Sequence, residues 1–187
     1  MSDARPTEPP TALDPSQERD FTDARPPEAA GLRASLRDAA RSPDGSGFLV
    51  RFVLENTTDK PIPIFQRWNS WGAYQWRLAI QDARGLDVVA TNPQMEWTRN
   101  GPTAIAIAPG SELVLKALVQ VDASGTVPPG IDRFTTGARL TFPLRVRGLF
   151  ECTESAERGL EVHLGSTTIP VSELWVGSIA TDWLDVD

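Results

Sequence analysis

From residue 31 onward, large apolar residues recur at every second position, the period of a pleated strand that buries one face. Tyr74, Trp76, Leu78 and Ile80 alternate with Gln75, Arg77, Ala79 and Gln81, which puts four bulky groups on one side of a strand. Leu113, Leu115, Ala117, Val119 and Val121 form a second such face, and Leu140, Phe142, Leu144 and Val146 a third. Pro143 interrupts the third; it cannot donate to a ladder, so this strand is expected at a sheet edge or a bulge. Phe48 to Leu54 is almost continuously apolar, the composition of a central strand covered on both sides. Leu32, Ala34 and Leu36 give a weaker alternation before it.

The punctuation between these runs is turn chemistry. Asn56 to Pro61 reads Asn-Thr-Thr-Asp-Lys-Pro, Asp82 to Gly85 reads Asp-Ala-Arg-Gly, and Pro109-Gly110 has the composition of a type II turn. No 3.6-residue period persists for three turns, and only 122–134 and 172–187 leave room for helical turns. Roughly seven to nine strands at such spacings predict an all-β, antiparallel, immunoglobulin-like β-sandwich over residues 31–181.

The two ends differ from this body. Residues 1–30 hold six of the sixteen prolines, and their only large apolar residues are Leu13 and Phe21. Such a segment buries too little to offset its ordering entropy, so a disordered N-terminal arm is expected. It contains a short echo, Asp3-Ala4-Arg5-Pro6 and Asp23-Ala24-Arg25-Pro26, read as compositional drift or as a repeated docking motif. Residues 182–187 carry three aspartates and are expected to form an acidic C-terminal tail. The arm has three arginines against seven acids, whereas the middle of the chain, up to the last fifteen residues, has fifteen bases against fourteen acids. The net charge of −7 therefore sits at the ends.

That distribution excludes several partners. With only Lys60 and Lys116 as lysines and no basic stripe, neither a nucleic acid nor an anionic membrane surface is expected. A single cysteine, Cys152, allows no intrachain disulfide, and a single histidine, His163, leaves little for a zinc site, so no cofactor or metal is expected. The N-terminus has no apolar stretch of signal-peptide type and the chain no span-length apolar run, so a cytoplasmic location is expected.

Three stretches carry a family resemblance: Phe48 to Ile64 with its Asn-Thr-Thr-Asp-Lys-Pro turn, Trp76 to Gly85 with Asp-Ala-Arg-Gly, and Ile107-Ala-Pro-Gly-Ser-Glu-Leu113. Together they resemble immunoglobulin-like sandwiches of bacterial proteins, and are similar to the BsuPI-type intracellular proteinase-inhibitor domain over roughly residues 48–120. The resemblance implies a sandwich fold and, as one specific form of protein binding, peptidase inhibition. It carries no inhibitory residue over to this chain. Ile107-Ala-Pro-Gly-Ser departs from the family's pattern of Leu before the Pro-Gly and an acid after it, and the tryptophan-rich run at Gln66 to Tyr74 is additional to it.

Four of the six tryptophans, Trp68, Trp71, Trp76 and Trp97, lie within thirty residues. Alternation assigns Trp76 to the core. Trp68 and Trp71 flank Asn69-Ser70 ahead of Gly72, the composition of a loop or sheet end. Burying one indole is worth about 4–6 kcal/mol as an upper figure, so such rings either fold back over the end of the sandwich or form a recognition patch. A patch of Arg67, Trp68, Asn69, Trp71, Tyr74, Trp97 and Arg99 mixes aromatic faces with amide and guanidinium donors. Protein hot spots and sugars both use that mixture.

Cys152 and His163 would face each other if Ala156 to Gly159 turned a hairpin, but Glu151, Glu154, Glu157 and Glu161 around them disfavour a thiolate. A buried Cys and a cross-strand His are the expectation. The string Asp182-Trp-Leu-Asp-Val-Asp187 lacks the glycine and terminal glutamate of a calcium loop. No phosphate-binding glycine motif or HExxH occurs. The sequence thus points to a non-catalytic protein–protein interaction module, inhibitor-like or an assembly component, that binds through a tryptophan-bearing loop end. The alternative is a carbohydrate-binding module that stacks sugars on Trp68, Trp71 and Trp97.

Overall fold

The computed structural model describes residues 28–42, 45–67, 70–92, 101–120, 131–153 and 160–187. Its strands, in chain order, are β1 (Glu28–Ala29), β2 (Leu32–Arg41), β3 (Gly47–Asn56), β4 (Ile62–Phe65), β5 (Trp76–Asp82), β6 (Asp87–Thr91) and β7 (Thr103–Ile107). They continue with β8 (Glu112–Gln120), β9 (Asp132–Thr135), β10 (Leu144–Cys152), β11 (Glu161–Leu164), β12 (Thr167–Pro170), β13 (Gly177–Ala180) and β14 (Leu184–Val186). One helical turn, α1 (Ser70–Ala73), and a 3-10 turn at Val171–Glu173 are the helical elements among the described residues.

Ten strands pair in the order β1-β2-β3-β8-β9-β6-β5-β10-β13, with β14 also on β10, and this sheet folds over on itself. The fold-over is visible in the packing: the Phe52 ring of β3 meets the Trp76 ring of β5 edge-on, with centroids 4.9 Å apart. A Cβ on Gly148 of β10 would sit 2.9 Å from the Phe52 ring, so glycine there lets the two layers close. β9 makes the bend, running parallel to β8 over Ala117–Gln120 and touching β6 through Thr91 and Thr135. A second sheet, β12-β11-β7-β4, contributes Ile62, Ile64, Phe65, Ala104, Ile107 and Val162 to the same core. Phe52, Trp76, Phe150 and Trp175 form a continuous aromatic row through it.

The expected β-sandwich is therefore present, with details the period did not give. Fourteen strands are described rather than seven to nine, because strands of two to four residues are too short to show a period. Two pairings, β7 with β11 and β8 with β9, are parallel. β3 is central between β2 and β8, yet Leu49 and Arg51 are exposed, so it is not covered on both sides along its length. Pro143 marks neither edge nor bulge: it precedes β10, whose ladders with β5 and β14 begin at Leu144 and with β13 at Leu149, so its missing donor falls outside the pairing. Tyr74 does not share the face of Trp76, Leu78 and Ile80, since β5 starts at Trp76.

Both expected boundaries also move outward. Glu28 and Ala29, placed in the arm, pair with Arg33 and Leu32 through a two-residue turn in which Ala30 and Gly31 both have positive φ, as in type I′ hairpins. Residues 1–27, with both copies of the Asp-Ala-Arg-Pro echo, lie outside the described residues. The expected acidic tail is strand β14: Val186 is buried opposite Leu144, and Asp185 points out beside Arg145. Aspartates alternating with apolar residues suit a solvated strand as well as a tail, and Asp185 takes the outward strand position. Trp183 packs on Ala79, Leu149 and Ala180, under the Arg145 guanidinium. No helix among the described residues is long and apolar enough to cross a membrane.

Two turns fasten strand ends through buried polar side chains. Asn56 Nδ2 donates to the Lys60 and Ile107 carbonyls at 2.7 and 2.8 Å, and its Oδ1 accepts from the Thr58 amide at 2.9 Å and hydroxyl at 2.8 Å. Asp82 accepts from the amides of Arg84, Leu86 and Thr141 and from Arg84 Nε. Both are Asx-type turns, with the side chain standing in for missing backbone partners. At the third, Ser111 N donates to Ala108 O around Gly110, whose φ is 63°, as a type II turn requires.

Candidate functional site

β4 is held against β7 from Ile62 to Phe65, and one further bond, Gln66 N to Thr103 O at 2.8 Å, carries the pairing past the strand. Arg67 follows and forms an ion pair with Asp132 at the start of β9. α1 then packs directly on this backbone: a Cβ on Gly72 would collide with the Gln66 carbonyl, so only glycine lets the turn approach so closely. Trp71 is half-buried and packs against the core, and Gln75 N closes the turn on Gly72 O at 3.3 Å. Tyr74 comes next and is 46% exposed, and Trp76 then enters the core at 1% exposure. A closely packed turn thus presents one tyrosine outward between two inward tryptophans.

Beside it lies a groove of about 190 Å³ lined by Phe65, Gln66, Arg67, Trp76, Ile105 and the β8 stretch Leu113–Leu115. Its rim residues Ile105 and Val114 are 37% and 41% exposed. The indole N–H of Trp76 is buried and has no hydrogen-bond partner among the described residues. β8 pairs with β9 only from Ala117 onward, so along Glu112–Lys116 its second edge has no strand partner among the described residues. Burial raises the Asp132 carboxyl above its ordinary range, and the Arg67 guanidinium partly offsets this.

Of the residues expected in the patch, Arg67, Trp71 and Tyr74 come together at this corner; Trp68, Asn69, Trp97 and Arg99 lie outside the described residues. Asp132, Ile105 and Val114 were missed. They stand on three strands far apart in sequence, and no local spacing singles them out.

Cys152 and His163 do not form the hairpin pair. Cys152 is opposite Gly177 in the large sheet, while His163 is opposite Thr168 and Thr103 in the small one. Cys152 is buried as expected, and burial pushes its thiol up to about 11 despite a hydrogen bond with Gln75. A thiol so raised is a poor nucleophile at neutral pH. No three His, Cys, Asp or Glu side chains among the described residues gather into a metal-binding group. Comparison of the chain with protein-family models, with curated proteins and with solved structures finds no match.

Proposed function

We propose that this chain is a non-catalytic interaction module that binds a protein partner through the corner carrying Arg67, Trp71 and Tyr74. The observation that carries the reading is the exposed Tyr74 ring on a turn fixed by Gly72. A pre-positioned aromatic gives contact area at little entropic cost, which is how binding hot spots work. Trp71 turns toward the core rather than outward, which supports a protein surface over a sugar-stacking platform. The β-sandwich supplies the scaffold, and β4 and β5 hold the two ends of the turn.

The test is a pull-down from lysate of the native host with the full chain as bait. Tyr74→Ala should lose a partner that wild type and Leu86→Ser, a change at an exposed site on another turn, both retain. Equal retention by all three would refute the reading. Retention on a polysaccharide gel that Trp71→Ala abolishes, with the fold intact, would replace it by the carbohydrate alternative.

A further inference from the structure

We infer that the groove beside Trp76 is the seat of the chain's own N-terminal arm, with Phe21 as the inserted side chain. The inference stands on the groove and not on what binds at Tyr74. An apolar cavity of about 150 Å³ suffices to hold a benzene ring, and this one, at about 190 Å³, is open at Ile105 and Val114. Phe21 is the sole aromatic residue among residues 1–27, whose other large apolar residue is Leu13.

Reach agrees. The described chain begins at Glu28 on β1, and the row Ala29, Leu32, Asn56 and Ser111 places that point at the end of the sheet where β8 begins. Crossing from β1 over β2 and β3 to β8 is three strand spacings, roughly 14 Å. Phe21 is seven residue steps from Glu28, which span up to about 23 Å.

The β8 edge agrees as well. Asp20 and Asp23 flank Phe21, and the exposed Lys116 stands two residues beyond Val114 on β8, while the groove's other cation, Arg67, is already paired with Asp132. An extended segment laid along the β8 edge at Glu112–Lys116 would offer backbone groups to that edge, a form of strand addition. The outer face the arm must cross carries the Arg33–Glu55 and Arg37–Glu112 pairs.

The experiment places p-benzoylphenylalanine at position 21 of the full-length chain, irradiates it, and locates the cross-links by mass spectrometry. The expected result is intramolecular links to residues 65–67, 105 or 113–115, with a yield unchanged on dilution. Val114→Asp, at an exposed rim position, should lower that yield by about tenfold or more, and Ile105→Asp serves as a second variant if the first perturbs the strand. Links to any other stretch, links only between copies that fade on dilution, or no links to the body each overturn the inference. None of these outcomes bears on the Tyr74→Ala pull-down, so the two readings fail separately.

Discussion

Asn56 should be the costliest polar residue in the fold to remove. It is fully buried, and its amide joins the end of β3 to the Lys60 carbonyl of its own turn and the Ile107 carbonyl at the end of β7. The Thr58 hydroxyl lies within bonding distance of both Asn56 Oδ1 and Lys60 O, and having one hydrogen it serves one at a time. That leaves three independent bonds lost in Asn56→Ala. At about 1 kcal/mol net each, the loss is about 3 kcal/mol, a drop in Tm of roughly 6–12 °C for a body of this size. Urea or thermal unfolding followed by tryptophan emission measures it. A loss below about 1 kcal/mol would refute the clamp. Asn56→Asp sharpens the test, because it keeps the shape and removes both donors. Its carboxylate would face two carbonyls, so its folded pKa is raised. A raised carboxyl stabilises most below its unfolded value, near pH 4, and that stability is lost as pH rises. Asn56→Asp should therefore be worse than Asn56→Ala at neutral pH, and the gap should narrow in acid.

Gly148→Ala brings a methyl to within 2.9 Å of the Phe52 ring and should cost about 1–3 kcal/mol; Phe52→Leu in the same chain should recover part of that in a double-mutant cycle. Ala30, at φ 48°, sits where a Cβ is strained, so Ala30→Gly should stabilise by about 0.5–1 kcal/mol in denaturant titration. For Asp82, burial pushes the carboxyl up, but bonds from the Leu86, Arg84 and Thr141 amides and the Arg84 side chain outweigh it and hold it below its ordinary value. A depressed carboxyl stabilises above its unfolded value, near pH 4, and that stability fades as pH falls through the lower folded value. The stability gap between wild type and Asp82→Asn, measured by urea titration across pH, should thus close in acid; a constant gap would refute the assignment.

β3, β5 and β8 are legible in the sequence because each is long enough for inward and outward positions to sort by polarity. β4, β11, β12 and β13 are four residues each, and four residues carry too few alternations to distinguish a strand from a loop. β14 misled for a different reason. Its one aspartate, Asp185, occupies an outward position while Val186 does the packing, and the acid count of the segment hid the single informative residue. At the corner, Arg67 was identified from its tryptophan neighbours, but what positions it is Asp132, 65 residues away and brought close only because β9 bends the large sheet. Such a neighbour is a property of topology, and no pattern read along the chain contains it.

The surfaces that remain narrow where binding can occur. Across the outside of β2, β3 and β8 run the ion pairs Arg33–Glu28, Arg33–Glu55, Arg37–Glu112 and Arg51–Asp38, which leave Leu49 and Val114 as the exposed large apolar side chains described there. Across the outside of β5, β10 and β13, Trp183 already covers Ala79, Leu149 and Ala180, the Arg77–Glu151 pair lies beside them, and Arg147 Nε is bonded to the Thr181 carbonyl. At the margins, pairing stops before the strand does. β8 is the clearest case: its edge is paired from Ala117 onward and has no strand partner among the described residues before that, beside an apolar groove and a buried indole donor. An open strand edge next to an apolar pocket is an aggregation hazard unless something covers it. A chain that keeps such an edge beside the turn presenting Tyr74 has reason to carry its own cover, and Phe21 is within reach to supply it.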